Sequence, residues 1–209
     1  MSDELELRVA WHQHVGIGPA ADAELDEVIG AHRQPARRYH GVRHVTWVVR
    51  HVFELGDREP IADLDAVVAA AFYHDAVYDP RRADNETSSA RWAQRALSGL
   101  GWQASRTHDV AALIGLTVDH RPTPGTDGAV LVDADLAVLG SGPAAYGAYV
   151  RGVRGEYAHI PEPDWRVGRP AVLRAFLDRD HVLTTPTARQ RWESRARANL
   201  TAELAALTG

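Results

Sequence analysis

Apolar residues along this chain recur at three- and four-residue steps instead of alternating, and that spacing predicts helix after helix. The stretch from about Arg37 to Leu55 carries the clearest stripe, with Val42, Val45, Val48, Val49, Val52 and Phe53 on one side. Before it, about Glu4 to Ala31 predicts one or two helices with a polar face, broken at Gly16, Gly18 and Pro19. Ile61 to Tyr78 is different, because it is apolar almost all round, as a helix buried on every side must be, until Asp79-Pro80 stops it. Asp84-Asn85-Glu86 reads as the next helix start, with Asp84 as cap and Glu86 at the positive end of the dipole, and the helix ends at Gly99 to Gly101. Further helices are predicted over about Ser105–Val118, Ala129–Leu139, Pro143–Tyr157, Arg169–Leu177 and Ala188–Leu207, with a Pro/Gly loop from Asp119 to Gly128. No turn-bounded strand pairs, repeats or linkers interrupt the pattern. The expectation is an all-α chain, a single helical bundle over residues 1–209 in which 143–209 form a C-terminal extension packed on the core.

Composition narrows the function classes. A chain of 209 residues is long enough to bury a real core, and a net charge of −5 offers no broad attraction to nucleic acid or anionic membrane. Absence of cysteine excludes disulfides and thiolate metal ligands. Met1 to Ala10 is acidic and lacks an apolar signal core, and no apolar run approaches the roughly 20 residues that span a bilayer. A cytoplasmic location is therefore expected, with neither a nucleic-acid polymer nor a membrane as partner.

Candidate chemistry begins where the buried helix meets His74 and Asp75. Ionisable groups in such a setting need partners, and a divalent cation would pair with both. Adjacent on a helix, their side chains leave about 100° apart and can meet on one ion. His40 and His44, four apart on the predicted helix, share a face with Cβ atoms roughly 6 Å apart. His51 lies too far along, and reads as a partly buried histidine bonded to a backbone carbonyl. Asp133 and Asp135 sit in the apolar run Ala129–Gly140, where carboxylates need partners or a cation. Asp133 either caps a helix or supports a site, whereas Asp135 reads as a ligand. His120 binds a second metal, binds a phosphate oxygen, or is a loop histidine. His12, His14, His32, His108, His159 and His181 belong to no constellation and read as surface residues.

Taken in order, Tyr39-His40…His44, His74-Asp75 and Asp135-Leu136 resemble the His…His-Asp…Asp pattern of the HD superfamily of metal-dependent phosphohydrolases. The chain is similar to a bacterial branch of it through Arg38–His44, Ala71–Pro80, Asp84–Ala90, Asp133–Gly140, Arg151–Tyr157 and Arg195–Leu200, segments that span most of its length. It departs from the pattern at Gly41, where many members carry asparagine. The resemblance implies an HD-type helical fold and a divalent metal held by His44, His74, Asp75 and Asp135. It also implies reaction-centre roles for His40 and Asp75, His40 either protonating the leaving oxygen or completing the coordination sphere. Nitrogen and oxygen ligands suit manganese, iron, magnesium or zinc. Such an ion supplies hydroxide near neutral pH and polarises a phosphoryl oxygen.

The substrate expected is a small phosphorylated molecule, nucleotide-like and not a nucleic-acid polymer. Positive partners for its phosphate are Arg43, Arg81, Arg82, Arg151 and Arg154, although Arg151, Arg154 and Glu156 equally read as a surface ion-pair set. Asp79, Asn85 and Glu86 either brace the ligands and face substrate or merely end one helix and begin the next. Two other readings stay open: a two-iron HD fold that activates dioxygen, and a non-catalytic module in which metal fixes the fold.

Overall fold

The computed structural model describes residues 2–209 and is helical throughout, with no strand among the described residues. In chain order the helices are α1 (Asp3–His14), α2 (Pro19–His32), α3 (Val42–Gly56), α4 (Leu64–Tyr73), α5 (Asn85–Gly99), α6 (Ala104–Gly115) and α7 (Asp127–Leu136). A 3-10 turn (Ala137–Gly140) leads to α8 (Pro143–Glu156) and α9 (Glu162–Leu177). The short α10 (Pro186–Ala188) then runs through a π turn (Arg189–Glu193) into α11 (Ser194–Thr208).

Helix α4 is the centre. Ala66 through Tyr73 are all buried, and α1, α3, α5, α6 and α7 pack around it. Its small residues, Ala69 to Ala71, allow neighbouring helices to approach closely, while Phe72 meets the Trp11 ring edge-on at 5.1 Å between centroids. Each large apolar side chain buried in this way stabilises the fold by about 1.5–3 kcal/mol. α3 presents the stripe read from its valines: Val45, Val48, Val49, Val52 and Leu55 are all buried, and His44 lies on the same inward side. α8 and α11 pack against the 137–140 turn, and α9 packs against α11. No single helix among the described residues is long and apolar enough to cross a membrane.

Three helix ends differ from the sequence expectation, each for a visible reason. α3 begins at Val42, not near Arg37, so His40 stands in the bend before the helix and not on it. The backbone N–H groups of Tyr39 and His40 are bound by the Glu156 carboxylate, which holds this segment out of helical geometry. α4 ends at Tyr73 although apolar residues continue, because its last carbonyls are captured by side chains, Ala71 O by His74 at the helix end and Phe72 O by His32 from α2. α9 starts at Glu162, seven residues early, with Pro163 in its first turn, where a missing N–H costs nothing, and with Pro170 tolerated inside.

Candidate metal centre

Three separate parts of the chain deliver the candidate ligands: the first turn of α3 (His44), the turn that follows α4 (His74 and Asp75) and the end of α7 (Asp135). His44, His74 and Asp75 form a buried group able to hold a metal ion. His44 Nε2 lies 3.1 Å from His74 Nε2 and 3.3 Å from Asp75 Oδ2, and His74 Nε2 lies 3.2 Å from the same oxygen. Asp135 Oδ1 joins them at 3.3 Å from His44 Nε2 and 3.8 Å from His74 Nε2. Ligand atoms about 2.1 Å from an ion stand about 3.0 Å apart when adjacent on an octahedron and about 3.4 Å apart on a tetrahedron. The spacings among His44, His74 and Asp75 are of that size, and Asp135, at 3.3 and 3.8 Å, stands at the margin of that group.

The orientation of His74 supports the same fit. Its Nδ1–H donates to the Ala71 carbonyl at 2.9 Å, which leaves the Nε2 lone pair facing the other three groups. His44 Nδ1 is buried without a partner, so His44 has only Nε2 with which to engage anything. Two imidazole nitrogens and two carboxylate oxygens are a donor set for a divalent cation.

Electrostatics show what these groups do to each other. Burial pushes the His74 pKa down, yet Asp75 and then Asp135 outweigh it and raise it to about 9. Burial pushes His44 down, and there the two acids do not compensate. Burial would raise Asp75, but His74, His40 and His44 hold it well below the usual carboxylate range. Asp135 is likewise pushed up by burial and drawn down overall to about 2, chiefly by His120. Two ionised carboxylates thus retain a proton on His74, in the position a cation would take.

His40 faces this group from the bend before α3. Its Nδ1 lies 2.7 Å from Glu156 Oε2, and Glu156 also accepts from the Tyr39 N–H (2.7 Å), the His40 N–H (2.9 Å) and the Tyr78 hydroxyl (3.0 Å). The His40 ring lies against the Tyr78 ring with centroids 4.2 Å apart. Burial lowers the His40 pKa, but Asp75 and the Glu156 hydrogen bond raise it on balance. Glu156 is therefore not the surface ion-pair residue that the sequence suggested; its side chain is 1% exposed, and it fixes the ring that points at the site.

The turn that carries His74 and Asp75 is held from behind. A helix end leaves carbonyls without intrahelical partners. Here His32 Nε2 donates to Phe72 O (3.2 Å), while Arg37 donates through Nη1 to Asp75 O and through Nη2 to Ala76 O (2.8 Å). His32 Nδ1 then accepts from Arg37 Nη1 at 3.3 Å. His32 is buried, contrary to the surface reading, and burial followed by Arg37 lowers its pKa to about 3. His14 also leaves the surface class, being partly buried against Asp65. His51 behaves as expected, bonded through Nδ1 to the Trp47 carbonyl.

Asp133 neither caps its helix nor approaches the ligands. It is fully buried in the middle of α7 and accepts from the Thr184 N–H (2.8 Å) and Thr185 N–H (2.6 Å), tethering the segment before α10. His120 does reach the site: its Nε2 lies 3.0 Å from Asp135 Oδ2. Its backbone is left-handed (φ 52), and Arg179 holds that turn by donating to the carbonyls of Asp119 (2.8 Å) and His120 (2.7 Å).

A cavity of about 810 Å³ opens on the centre, with His40, His74, Asp75, His120 and Asp135 in its wall. Of the substrate-facing residues expected from sequence, Glu86 and His120 line it, while Arg43 and Arg151 are exposed and lie outside it. Arg154 caps the end of α8, donating to the Tyr157 carbonyl at 2.8 Å. Asn85 exchanges hydrogen bonds with the backbone of Asp79 (3.1 and 2.9 Å) and so joins the turn to α5. The arginines in the cavity wall are instead Arg121, Arg169 and Arg179. The signal that could have found Arg169 is the spacing of Trp165, Arg169, Val172 and Phe176, one face of a helix whose start the sequence reading placed too late. Comparison with family models, with curated proteins and with solved structures finds no match.

Proposed function

We propose that the chain is an HD-type, metal-dependent phosphohydrolase that cleaves a small phosphoester with water. The observation that carries this reading is the convergence of His44, His74, Asp75 and Asp135 at ligand spacing on a cavity that His40 also lines. A divalent ion bound there supplies a water of lowered pKa and polarises a phosphoryl oxygen. The rest falls to side chains. Water adds to phosphorus, the ester P–O bond breaks, and the leaving oxygen takes its proton from His40 Nε2. Glu156 holds Nδ1 and thereby leaves Nε2 free for that transfer. Asp75 places Oδ2 among the ligand atoms, and its Oδ1 accepts the proton of the attacking water.

Elemental analysis of protein purified without added metal, paired with turnover of 4-nitrophenyl phosphate and bis(4-nitrophenyl) phosphate, tests this reading. Substoichiometric metal at every divalent ion tried, or turnover unchanged in folded His74→Ala and Asp75→Ala variants, would sink it. Metal binding without turnover would instead select the non-catalytic module. One observation favours the dioxygen reading: His120 sits on the far oxygen of Asp135, where an additional ligand for a second iron is needed. Two irons per chain and a visible absorption band in fresh protein would choose it.

A further inference from the structure

The cavity is much larger than a phosphate needs, and its volume of about 810 Å³ lies in the range of roughly 300–1,000 Å³ that encloses drug-sized molecules. One wall is a single face of α9, formed by Trp165, Arg169, Val172 and Phe176 at steps of four, three and four residues. Tyrosines from other elements, among them Tyr39 and Tyr149, line it too, and Tyr149 lies two ring contacts from His44 through Tyr39 (4.9 and 4.8 Å between centroids). The lining thus mixes aromatic and apolar side chains with charged ones, and of its arginines, Arg121, Arg169 and Arg179, only Arg169 is buried.

Arg169 is only 8% exposed and rigidly held. Its Nε donates to Glu203 Oε1 at 2.7 Å, and its Nη2 donates to Glu203 Oε2 (3.2 Å) and to the Tyr149 hydroxyl (3.0 Å). Tyr146 completes the set by donating its hydroxyl to Glu203 Oε2 at 2.6 Å. The remaining nitrogen, Nη1, bonds to none of them and is not sealed inside the protein, and Arg169 lines the cavity, so Nη1 is the guanidinium nitrogen available to a ligand there. A guanidinium fixed through two nitrogens presents the third with little loss of freedom on binding. Because Glu203 already balances Arg169, and the acids Asp75, Glu86, Asp119, Asp135 and Asp164 in the wall outnumber Arg121 and Arg179, the site suits a neutral acceptor oxygen better than a second phosphate.

We infer that Arg169 is a specificity-determining residue, and that the substrate's organic part is a flat, largely apolar group carrying a hydrogen-bond acceptor at the end remote from phosphorus. The inference rests on the phosphohydrolase reading for its kinetics but not for its binding. Two probes match this description in size and differ in the acceptor: 4-methylumbelliferone has a carbonyl at its far end, and 2-naphthol has none. Fluorescence titration of each, at a pH where both phenols are neutral, gives the affinity directly. The phosphate esters of the same two phenols give kcat/KM.

The wild-type chain should bind the umbelliferone about tenfold more tightly, as one hydrogen bond from a charged donor implies. Arg169→Lys, which keeps a cation beside Glu203 but loses the fork, should bring the two probes within about threefold. The paired variant Arg169→Met/Glu203→Met leaves no buried charge unpaired and should do the same, whether or not Arg169→Lys folds. Val172→Trp, at a half-exposed position on the same wall, should weaken both probes alike. Equal binding of the two phenols by the wild-type chain, or a preference that survives loss of Arg169, overturns the inference. A preference of the expected kind without turnover of any phosphate ester leaves the inference standing and removes the phosphohydrolase reading.

Discussion

Glu156 shows how much a single carboxylate can organise. It binds the backbone N–H groups of Tyr39 and His40, the His40 ring and the Tyr78 hydroxyl, and so sets both the path of the bend and the tautomer of the histidine. Glu156→Gln keeps the shape and removes the charge. His40 then loses one of the groups that raise its pKa. In the proposed hydrolysis His40 works as an acid only while protonated, below its pKa, so the basic limb of the kcat/KM profile should move to lower pH. Turnover above neutrality should fall about 10–100-fold, less than the roughly 10²–10⁴-fold a general acid contributes, because Glu156→Gln weakens the acid without removing it. A pH profile settles the matter: an unchanged basic limb would mean that Glu156 only braces the bend. Sequence could not show this residue, because its partners lie 78 to 117 positions away and Arg151-Gly-Val-Arg-Gly-Glu156 has the look of a solvated helix face. The candidate ligands were legible for the opposite reason: His74-Asp75 and Asp135 interrupt apolar runs, and an ionisable group in an apolar run announces a partner.

At the scale of elements, the end of α4 decides where the site is. The apolar pattern runs on through Ala76 and Val77, so sequence placed the helix end several residues late. His32 from α2 occupies the Phe72 carbonyl, which another helical turn would have used, and Arg37 from the following bend holds the Asp75 and Ala76 carbonyls in the turn beyond. Arg37→Met should leave the Asp75 and Ala76 carbonyls unpaired and lower stability by about 2–4 kcal/mol, judged from the cost of orphaned buried groups. It should also weaken metal binding, since Asp75 loses its fixed backbone. Denaturant midpoints and a metal titration on the same samples measure both. Gly140→Ala is the contrasting case. A Cβ there would stand 2.4 Å from the Trp192 Cβ and 2.8 Å from the Trp192 carbonyl oxygen, where the 137–140 turn presses on the π turn before α11. It should cost about 1–3 kcal/mol as overpacking does, with metal affinity unchanged. If both variants lose metal together, the end of α4 has no special part in positioning Asp75.

For the molecule as a whole, the helical pattern was readable because each helix is specified by its own periodicity, whereas the ties between distant segments were not. Asp133 on Thr184 and Thr185, and Glu59 on the Thr187 N–H, are pairings of a single side chain with a remote backbone, and no local spacing encodes them. Together these ties make the site a property of the assembled fold, and its charges should appear in the pH dependence of stability. Between pH 6.5 and about 3 the unfolded chain protonates His32 while the folded chain does not, so stability falls as pH falls through that window. His74 has the opposite sign. With a folded pKa of about 9 it carries a proton that the unfolded chain has released above 6.5, so without metal its contribution is present below 6.5 and lost as pH rises through 9. Chelator-treated protein should therefore be most stable near pH 6–7 and decline on both sides. A divalent ion held at the candidate centre would take the place of the His74 proton, so its binding would compete with protons and strengthen as pH rises. The gain in Tm on adding manganese or zinc should accordingly grow from pH 6 to pH 8.5, erasing the alkaline decline while leaving the acid one. A gain independent of pH would mean that the ion binds somewhere other than at His44, His74, Asp75 and Asp135.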